Sequence, residues 1–351
     1  MDSTRRVVTV DGEGDVGLAS EPIPKPAAGE VLITVNASLV SPGSGAGPVR
    51  RRRADPDPER DPLKRGYQAA GIVDTVGGDV AEFEAGDRVA CMGSGYAYHA
   101  DAVVVPQHLC VPLPENVSFE EGAFNHLAAT GLHTIRRGEV AIGEAVAVMG
   151  LGLVGQLTGQ LARIAGARPI GSDLLPGRAE VARAVGFERA VAGGEEALAE
   201  AVDDVTDGRG IDCGVIAFGG DGTDAFEQLV SLARQAPDGH RYGRIVIVGG
   251  AHVAADFPTA LGNMDVRAAS RPGPGYHDPA WERGAAYATE YRGDAEWTTR
   301  RNLQESIRLI DTGKLDVETL ITHRYPFEQA ADGYDALLDR PGETLGVIFT
   351  P

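Results

Sequence analysis

Three glycines and an aspartate mark where this chain could do chemistry. Between Val146 and Asp173 it reads VAVMGLGLVGQLTGQLARIAGARPIGSD, with Gly150, Gly152 and Gly155 at GxGxxG spacing. The apolar run before the glycines has the character of a buried parallel strand. Leu157, Leu161 and Ile164 follow at helical spacing, and a second short strand, Arg168 to Gly171, leads to Asp173. Such a strand–turn–helix–strand unit suits a dinucleotide. Gly150 would permit the tight turn, Gly152 the approach of backbone N–H groups to a pyrophosphate, and Gly155 close packing of helix on strand. Leu151, Leu153 and Val154 complete the turn and the first helical residues, where the positive helix end would face the phosphates. Asp173 stands eighteen residues after Gly155, where a carboxylate accepts hydrogen bonds from ribose hydroxyls. A carboxylate there repels a 2′-phosphate, so NAD is expected over NADP. Arg178, five residues on, suits a helix residue covering the adenine.

Stepping outward, the elements that must hold this unit follow the same alternation. Pro176 to Val185 and Glu195 to Val205 read as helices, Asp212 to Ala217 as a strand ending at Phe218-Gly219-Gly220. Ala225 to Ala236 reads as a helix, and Arg244 to Gly250 as a strand that ends in glycines. Short parallel strands separated by helices make a doubly wound sheet, whose ligands sit at the C-terminal strand ends. Phe218, Gly219 and Gly249 are therefore expected beside the cofactor. Met264 to Ala269 has the character of an edge strand.

Before residue 115 the pattern is different. Arg5 to Val10, Val16 to Ala19, Val31 to Val40, Gly66 to Val73 and Val103 to Leu113 read as closely spaced strands. They predict an all-β, barrel-like module. Arg50 to Arg53, followed by Asp55-Pro56-Asp57-Pro58, reads as an exposed loop, with contact to an anionic substrate as the alternative. Phe119 to Arg136 is expected as two helical segments, Trp297 to Asp311 as a helix, and Leu320 to Tyr325 and Gly346 to Phe349 as closing strands. The loop after Arg271, Pro272-Gly273-Pro274-Gly275-Tyr276, and the cluster Trp297, Arg300, Arg301 and Asn302 are further polar or aromatic candidates for contact with a substrate.

Composition narrows the class. The 351 residues suffice for two domains, and 43% are hydrophobic, as in a soluble globular protein. No apolar run approaches the ~20 residues of a membrane span, and the N-terminal residues lack the apolar core of a signal peptide. The expectation is a cytoplasmic enzyme with no membrane partner. The formal charge is −19, and Lys25, Lys64 and Lys314 are the lysines. Such a surface argues against nucleic-acid binding. Salt adaptation or a GC-rich genome would each account for it. Cys91, Cys110 and Cys213 lie far apart without a CxxC pair, and are expected as buried thiols rather than a closed zinc site.

The order of β module, glycine-rich βαβ sheet and closing segment resembles the medium-chain dehydrogenase/reductase superfamily. Gly66 to Val73, Gly86-Asp87-Arg88-Val89, Leu113-Pro114, Thr130, the GLGLVG turn and Asp173 carry the resemblance, which covers essentially the whole chain. The segments SPGSG, GYQAAGIV, VMGLGLVGQLTGQLA and LITHRYPFEQAADGYDALL look most like the group typified by bacteriochlorophyllide a dehydrogenase. The resemblance implies an α/β chain: a GroES-like β-barrel catalytic domain at 1–122, a Rossmann domain with a doubly wound parallel sheet at 123–285, and a return to the catalytic domain at 286–351. It implies a homodimer or homotetramer formed through the Met264–Ala269 strand, and a small-molecule substrate. It also implies that Thr130 lies at the cofactor.

Zinc-dependent members of the family carry a cysteine where this chain has Ser41, and Gly-His-Glu where it has Gly66-Tyr67-Gln68. Their third ligand falls at His126, four residues before Thr130, and the four-cysteine structural zinc lobe is missing here. Only His126 would bind zinc well, so no metal is expected. By resemblance Ser41, Tyr67, Gln68 and His126 line the pocket. His126 or Tyr67 would exchange the proton with the substrate hydroxyl, and Ser41 or Gln68 would orient its oxygen. An imidazole near its usual pKa suits a general base, whereas a phenol near 10 would have to be lowered. His99, His133, His277 and His323 are weaker candidates. The expected activity is zinc-independent, NAD-dependent interconversion of a secondary alcohol and a ketone on a sugar, cyclitol or other polyhydroxylated substrate. The alternatives are an NAD(P)H-dependent enoyl or quinone reductase, and a nucleotide-binding protein without turnover.

Overall fold

The computed structural model describes residues 4–256, 261–285 and 297–351. The chain forms two compact units. Unit 1 comprises residues 1–129, 272–313 and 321–351, and unit 2 comprises 130–271 and 314–320.

Unit 1 begins with β1 (Thr4–Val10), β2 (Val16–Pro22), β3 (Glu30–Val40), α1 (Gly47–Ala54), β4 (Leu63–Lys64), β5 (Gln68–Val76), β6 (Arg88–Met92), β7 (Ala102–Pro106) and β8 (Cys110–Pro112). The short helix α2 (Phe119–Gly122) follows, started by a capping box in which Ser118 and Glu121 satisfy each other's end groups. Helix α3 (Asn125–Arg137) then runs past the boundary between residues 129 and 130.

Unit 2 holds β9 (Ala145–Met149), α4 (Leu153–Ile164), β10 (Arg168–Asp173), α5 (Pro176–Ala184), β11 (Arg189–Ala192), α6 (Glu195–Thr206), β12 (Cys213–Ile216), β13 (Gly220–Asp221), α7 (Thr223–Leu232), β14 (Arg234–Gln235), β15 (Arg241–Ile247), β16 (Ala251–His252) and β17 (Asn263–Ala268). Its parallel sheet runs β11-β10-β9-β12-β15, with β17 beside β15. In chain order that is 3-2-1-4-5-6, the doubly wound arrangement, with its switch point between β9 and β12. The core is apolar: Ala147, Ile170, Leu198, Ile216, Phe226, Leu229 and Ile245 are all buried in one cluster.

The chain returns to unit 1 through α8 (Pro279–Glu282), α9 (Thr299–Asp311), β18 (Ile321–Pro326), α10 (Ala330–Asp339) and β19 (Gly346–Thr350). The large mixed sheet is ordered β18-β19-β3-β5-β6-β8, with β7 also on β3, while β2-β1-β4 form a smaller one. Val8, Val40, Val49, Phe327, Tyr334 and Phe349 fill its core.

Three segments depart from the expectations. Arg50–Arg53 lie in α1, not in a loop: Pro48 sits in the first turn, arginine is a good helix former, and Val49 anchors the helix in the core. The run Val103 to Leu113 is broken by a 3-10 turn at Gln107–Leu109. The helix expected to reach Ala236 stops at Leu232, and Arg234–Gln235 pair with β15 instead.

The unit divisions also stand apart from the boundaries read at 122/123 and 285/286, the second of which adjoins residues outside the described ones. A helix pattern shows no break where one unit ends. Residues 314–320 join unit 2 because the buried Gln160 amide bonds Asp316 in both directions, each at 2.8 Å.

Candidate active site

In unit 2 the glycine turn sits at the C-terminal end of β9. Gly150 has φ +92°, and its N–H donates to the Ser172 carbonyl at 2.8 Å. A Cβ on Gly155 would stand 1.9 Å from the Gly150 oxygen, so α4 approaches the turn as only glycine permits. At Gly152, the N-cap of α4, a Cβ would meet nothing within 4 Å. Leu153 and Val154 make the first turn of α4 beside that open face.

Asp173 ends β10 almost fully buried. Its Oδ2 accepts the Leu151 N–H at 2.7 Å and its Oδ1 accepts the Leu175 N–H at 2.9 Å. The Arg178 guanidinium lies 3.5 Å from Oδ2. Two corrections follow. Leu151 does not offer its N–H to a ligand here: the group is spent on Asp173, and the side chain is buried. Arg178, expected over an adenine, is paired with Asp173.

Phe218, Gly219 and Gly249 gather where they were expected, at the ends of β12 and β15. A Cβ on Gly150 would lie 3.0 Å from Phe218 Cδ1, and one on Gly219 3.2 Å from the Gly249 oxygen. Sequence reasoning missed Gln156, which is fully buried on α4. Its Nε2 donates to the Leu151 carbonyl at 3.1 Å and the Arg178 carbonyl at 2.8 Å, tying the glycine turn to α5. A buried glutamine just after a glycine turn was the available signal. Thr130 opens unit 2 as a buried residue of α3, and its carbonyl accepts the Thr134 hydroxyl at 2.9 Å.

In unit 1 the structure brings Ser41, Tyr67 and His126 together. The Ser44 hydroxyl donates to Ser41 Oγ at 3.1 Å and lies 2.8 Å from Tyr67 Oη. The Tyr67 and His126 rings meet edge-on, with centroids 4.8 Å apart. Tyr276 also meets His126 edge-on, ring centroids 5.9 Å apart, and its Oη accepts the Ser94 N–H at 2.6 Å. Arg65 holds the serine turn, donating to the carbonyls of Ser44 and Gly45 at 3.1 and 2.9 Å. Asn125, next to His126, is fully buried and donates to the carbonyls of Ala69, Cys91 and Gly122. It thereby fixes the start of α3 against β5 and β6.

Burial pushes the Tyr67 phenol above its usual range, against the opposing hydrogen bonds of Ser41 and Ser44 and the charge of Arg65. The lowering that a phenolate base requires is therefore not provided, and Tyr67 keeps its proton at neutral pH. Gln68 is fully buried and donates to the Leu39 carbonyl at 3.3 Å, while its Oε1 has no hydrogen-bond partner.

Of the weaker histidines, His99 is internal: its Nδ1 pairs with Ser38 Oγ at 2.9 Å, and burial lowers it to about 3. His323 pairs with Thr322 at 3.0 Å. His277 adjoins Tyr276 with φ +73°, and its N–H donates to Glu282 at 2.7 Å. His133 is buried within α3. Arg300 pairs with Glu82, Arg301 stacks on Trp297 at 3.7 Å, and Asn302 bonds the Pro272 carbonyl at 2.7 Å, so this cluster serves packing within unit 1.

A doubly wound sheet with this glycine turn and terminal aspartate, joined to a β-rich unit, defines a nicotinamide-dependent oxidoreductase of the α/β type. Residues 27–115 match the model of the alcohol dehydrogenase GroES-like domain, and residues 154–269 that of the zinc-binding dehydrogenase. The chain belongs to the medium-chain dehydrogenase/reductase superfamily.

It is 25% identical to human sorbitol dehydrogenase, over 93% of this chain and 91% of that one. It is 28% identical to a putative D-xylulose reductase of Agrobacterium fabrum (strain C58 / ATCC 33970), over 79% of this chain and 78% of that one. A solved Escherichia coli oxidoreductase/dehydrogenase of unknown specificity has the same fold, with TM-score 0.79, 20% identity and 99% of each chain covered.

The matched description implies zinc, and the donors in unit 1 do not fit it. Ser41 and Ser44 are neutral hydroxyls engaged with each other, the Tyr67 phenol is raised, and the Gln68 amide nitrogen is bonded to backbone. That leaves His126 as the one good ligand of the set. Burial holds the Cys91 and Cys213 thiols up at about 12 and raises Cys110 as well, so none of them supplies a thiolate. Among the described residues no group of three or more His, Cys, Asp or Glu is placed to hold a metal. No helix among them is long and apolar enough to cross a membrane.

Proposed function

We propose that this protein interconverts a secondary alcohol and a ketone on a polyhydroxylated small molecule, using NAD and no zinc. The observation that carries the reading is the hydroxyl chain Ser41–Ser44–Tyr67, whose Tyr67 ring meets His126 edge-on; by the family resemblance Ser41, Tyr67 and His126 correspond to metal-ligand positions of zinc-dependent members. Similarity to sorbitol dehydrogenase and to a putative D-xylulose reductase supports the substrate class. The buried Asp173 carboxylate supports NAD, because a 2′-phosphate beside it would meet like charge.

A nicotinamide cofactor, which the glycine turn and Asp173 would hold, would supply the hydride chemistry. In the direction of ketone reduction, Tyr67 keeps its proton and turns it from Ser44 Oγ to the substrate oxygen, donating a hydrogen bond there. His126 exchanges the proton with that oxygen, and Asn125 holds the helix start that carries it. Gln68, the first residue of β5, ties that strand to the Leu39 carbonyl and does not act as an orienting group. The protein is proposed to be cytoplasmic.

The test is turnover of a panel of polyols, cyclitols and other secondary alcohols by metal-analysed protein, with NAD⁺ and NADP⁺, before and after chelation. NAD⁺-linked oxidation that survives chelation is expected. Stoichiometric zinc whose removal abolishes turnover would overturn the zinc-free reading. NADPH-linked reduction of activated double bonds, without alcohol oxidation, would make the protein an enoyl or quinone reductase.

A further inference from the structure

The last turn of α1 carries positive charge, on Arg51, Arg52 and Arg53, that the proposed reaction does not use. Arg52 is half-buried and held by backbone alone: Nη1 donates to the carbonyls of Val10 at 3.0 Å and Asp11 at 2.7 Å, and Nη2 to that of Asp61 at 2.9 Å. Carbonyls orient a guanidinium without cancelling its charge, and Arg52 makes no ion pair among the described residues. Arg51 folds back along the helix, so that its Nη1 would lie 3.3 Å from a Cβ on Gly47. No carboxylate in the first turn of α1 answers the charge that this side chain carries back along the helix, and α1 has no side-chain cap. The Arg51 guanidinium has no hydrogen-bond or ion-pair partner among the described residues.

Arg51 and Arg52 line an open surface cavity of about 430 Å³, together with Pro48, Asp55, Arg60 and Leu63. Arg60 is already matched, at 2.6 Å to Asp55 and 3.3 Å to Asp57. Two uncompensated arginines therefore face one cavity in a molecule whose net charge is −19.

We infer that this cavity binds a small phosphate monoester. A monoester is close to dianionic at neutral pH, and its oxygens suit the guanidinium fork. The volume falls within the range of small-molecule pockets. Pro48 and Leu63 supply apolar walls for the carbon skeleton, and Arg52 is already in place, so little ordering entropy is lost on binding. The site lies wholly within unit 1 and does not depend on the proposed reaction.

The test is calorimetry on the full chain at low ionic strength and pH 7.5, with ribose 5-phosphate, inorganic phosphate and ribose as probes. Saturable binding of ribose 5-phosphate is expected, weaker binding of inorganic phosphate, and none of ribose. Arg51→Gln, an exposed helix substitution that leaves the fold intact, is expected to weaken ribose 5-phosphate at least tenfold, as is Arg52→Lys, which keeps the charge but loses the fork. Absence of binding by either phosphate, or binding indifferent to Arg51→Gln, would overturn the proposal. Equal affinity for the two phosphates would overturn the monoester assignment.

Discussion

Tyr67 keeps its proton because burial outweighs the two serine hydroxyls and the nearby Arg65 charge. A neutral phenol is a hydrogen-bond donor, so its work would be on the substrate oxygen. Tyr67→Phe should lower kcat about 10²-fold or more, the scale of a lost acid–base contact. Its rate–pH profile below pH 9 should keep the wild-type limbs, because a raised phenol does not titrate there. A variant within twofold of wild type would remove Tyr67 from the chemistry, and a lost limb would mean that the phenol is lowered in the working enzyme. Asp173 accepts two backbone N–H bonds and lies 3.5 Å from the Arg178 guanidinium. Asp173→Asn removes the repulsion of a 2′-phosphate and weakens the latch on Leu151. The ratio of kcat/KM for NADP⁺ over NAD⁺ should rise at least tenfold, about 1.4 kcal/mol. An unchanged ratio would mean that Arg178, not Asp173, sets the preference.

At the scale of elements, the seating of α4 on β9 leaves no room for a methyl group. A Cβ on Gly155 would overlap the Gly150 oxygen at 1.9 Å, and backbone cannot move aside as a side chain can. Gly155→Ala should cost about 1–3 kcal/mol and weaken dinucleotide binding beyond what the lost stability explains. Fluorescence titration with NADH, paired with thermal unfolding, checks both, and native affinity would refute the contact. Strand β17 pairs with β15 along its length and alternates between exposed and half-buried residues. An edge of this kind is a template for another strand. The proposed dimer or tetramer would form there, and sedimentation of a proline variant at Val266 should shift the protein towards monomer. Wild-type protein that already sediments as a monomer would refute the interface.

Over the whole molecule, 51 acidic residues stand against 32 basic ones. Many arginines are in ion pairs, such as Arg5 with Glu21 and Arg244 with Glu144, both at 2.6 Å. The acidic remainder repels itself, and salt screens it over about 10 Å at 0.1 M. The melting temperature should rise by several degrees between 0.05 and 1 M sodium chloride, and a flat or falling curve would show that the ion pairs dominate.

What the sequence by itself determined is the nucleotide unit, because its constraints are local. Gly150 needs a positive φ, Gly155 needs close approach, and Asp173 needs to end the next strand; all three lie within one βαβ stretch and leave their mark as spacing. Strand and helix periods likewise placed most of the elements, while the order of the strands comes from how they pair. Only the tertiary structure decided the unit 1 cluster. Ser44, Tyr67, Ser94, Asn125 and Tyr276 come from distant segments that no spacing relates, and the Tyr67 phenol is raised by burial that a sequence does not display. The arginines of α1 were legible as charge, but their lack of carboxylate partners depends on carbonyls of Val10, Asp11 and Asp61 reaching Arg52 first. Periodicity reports which face of an element is buried, whereas the partners of a polar side chain are set by how the elements pack.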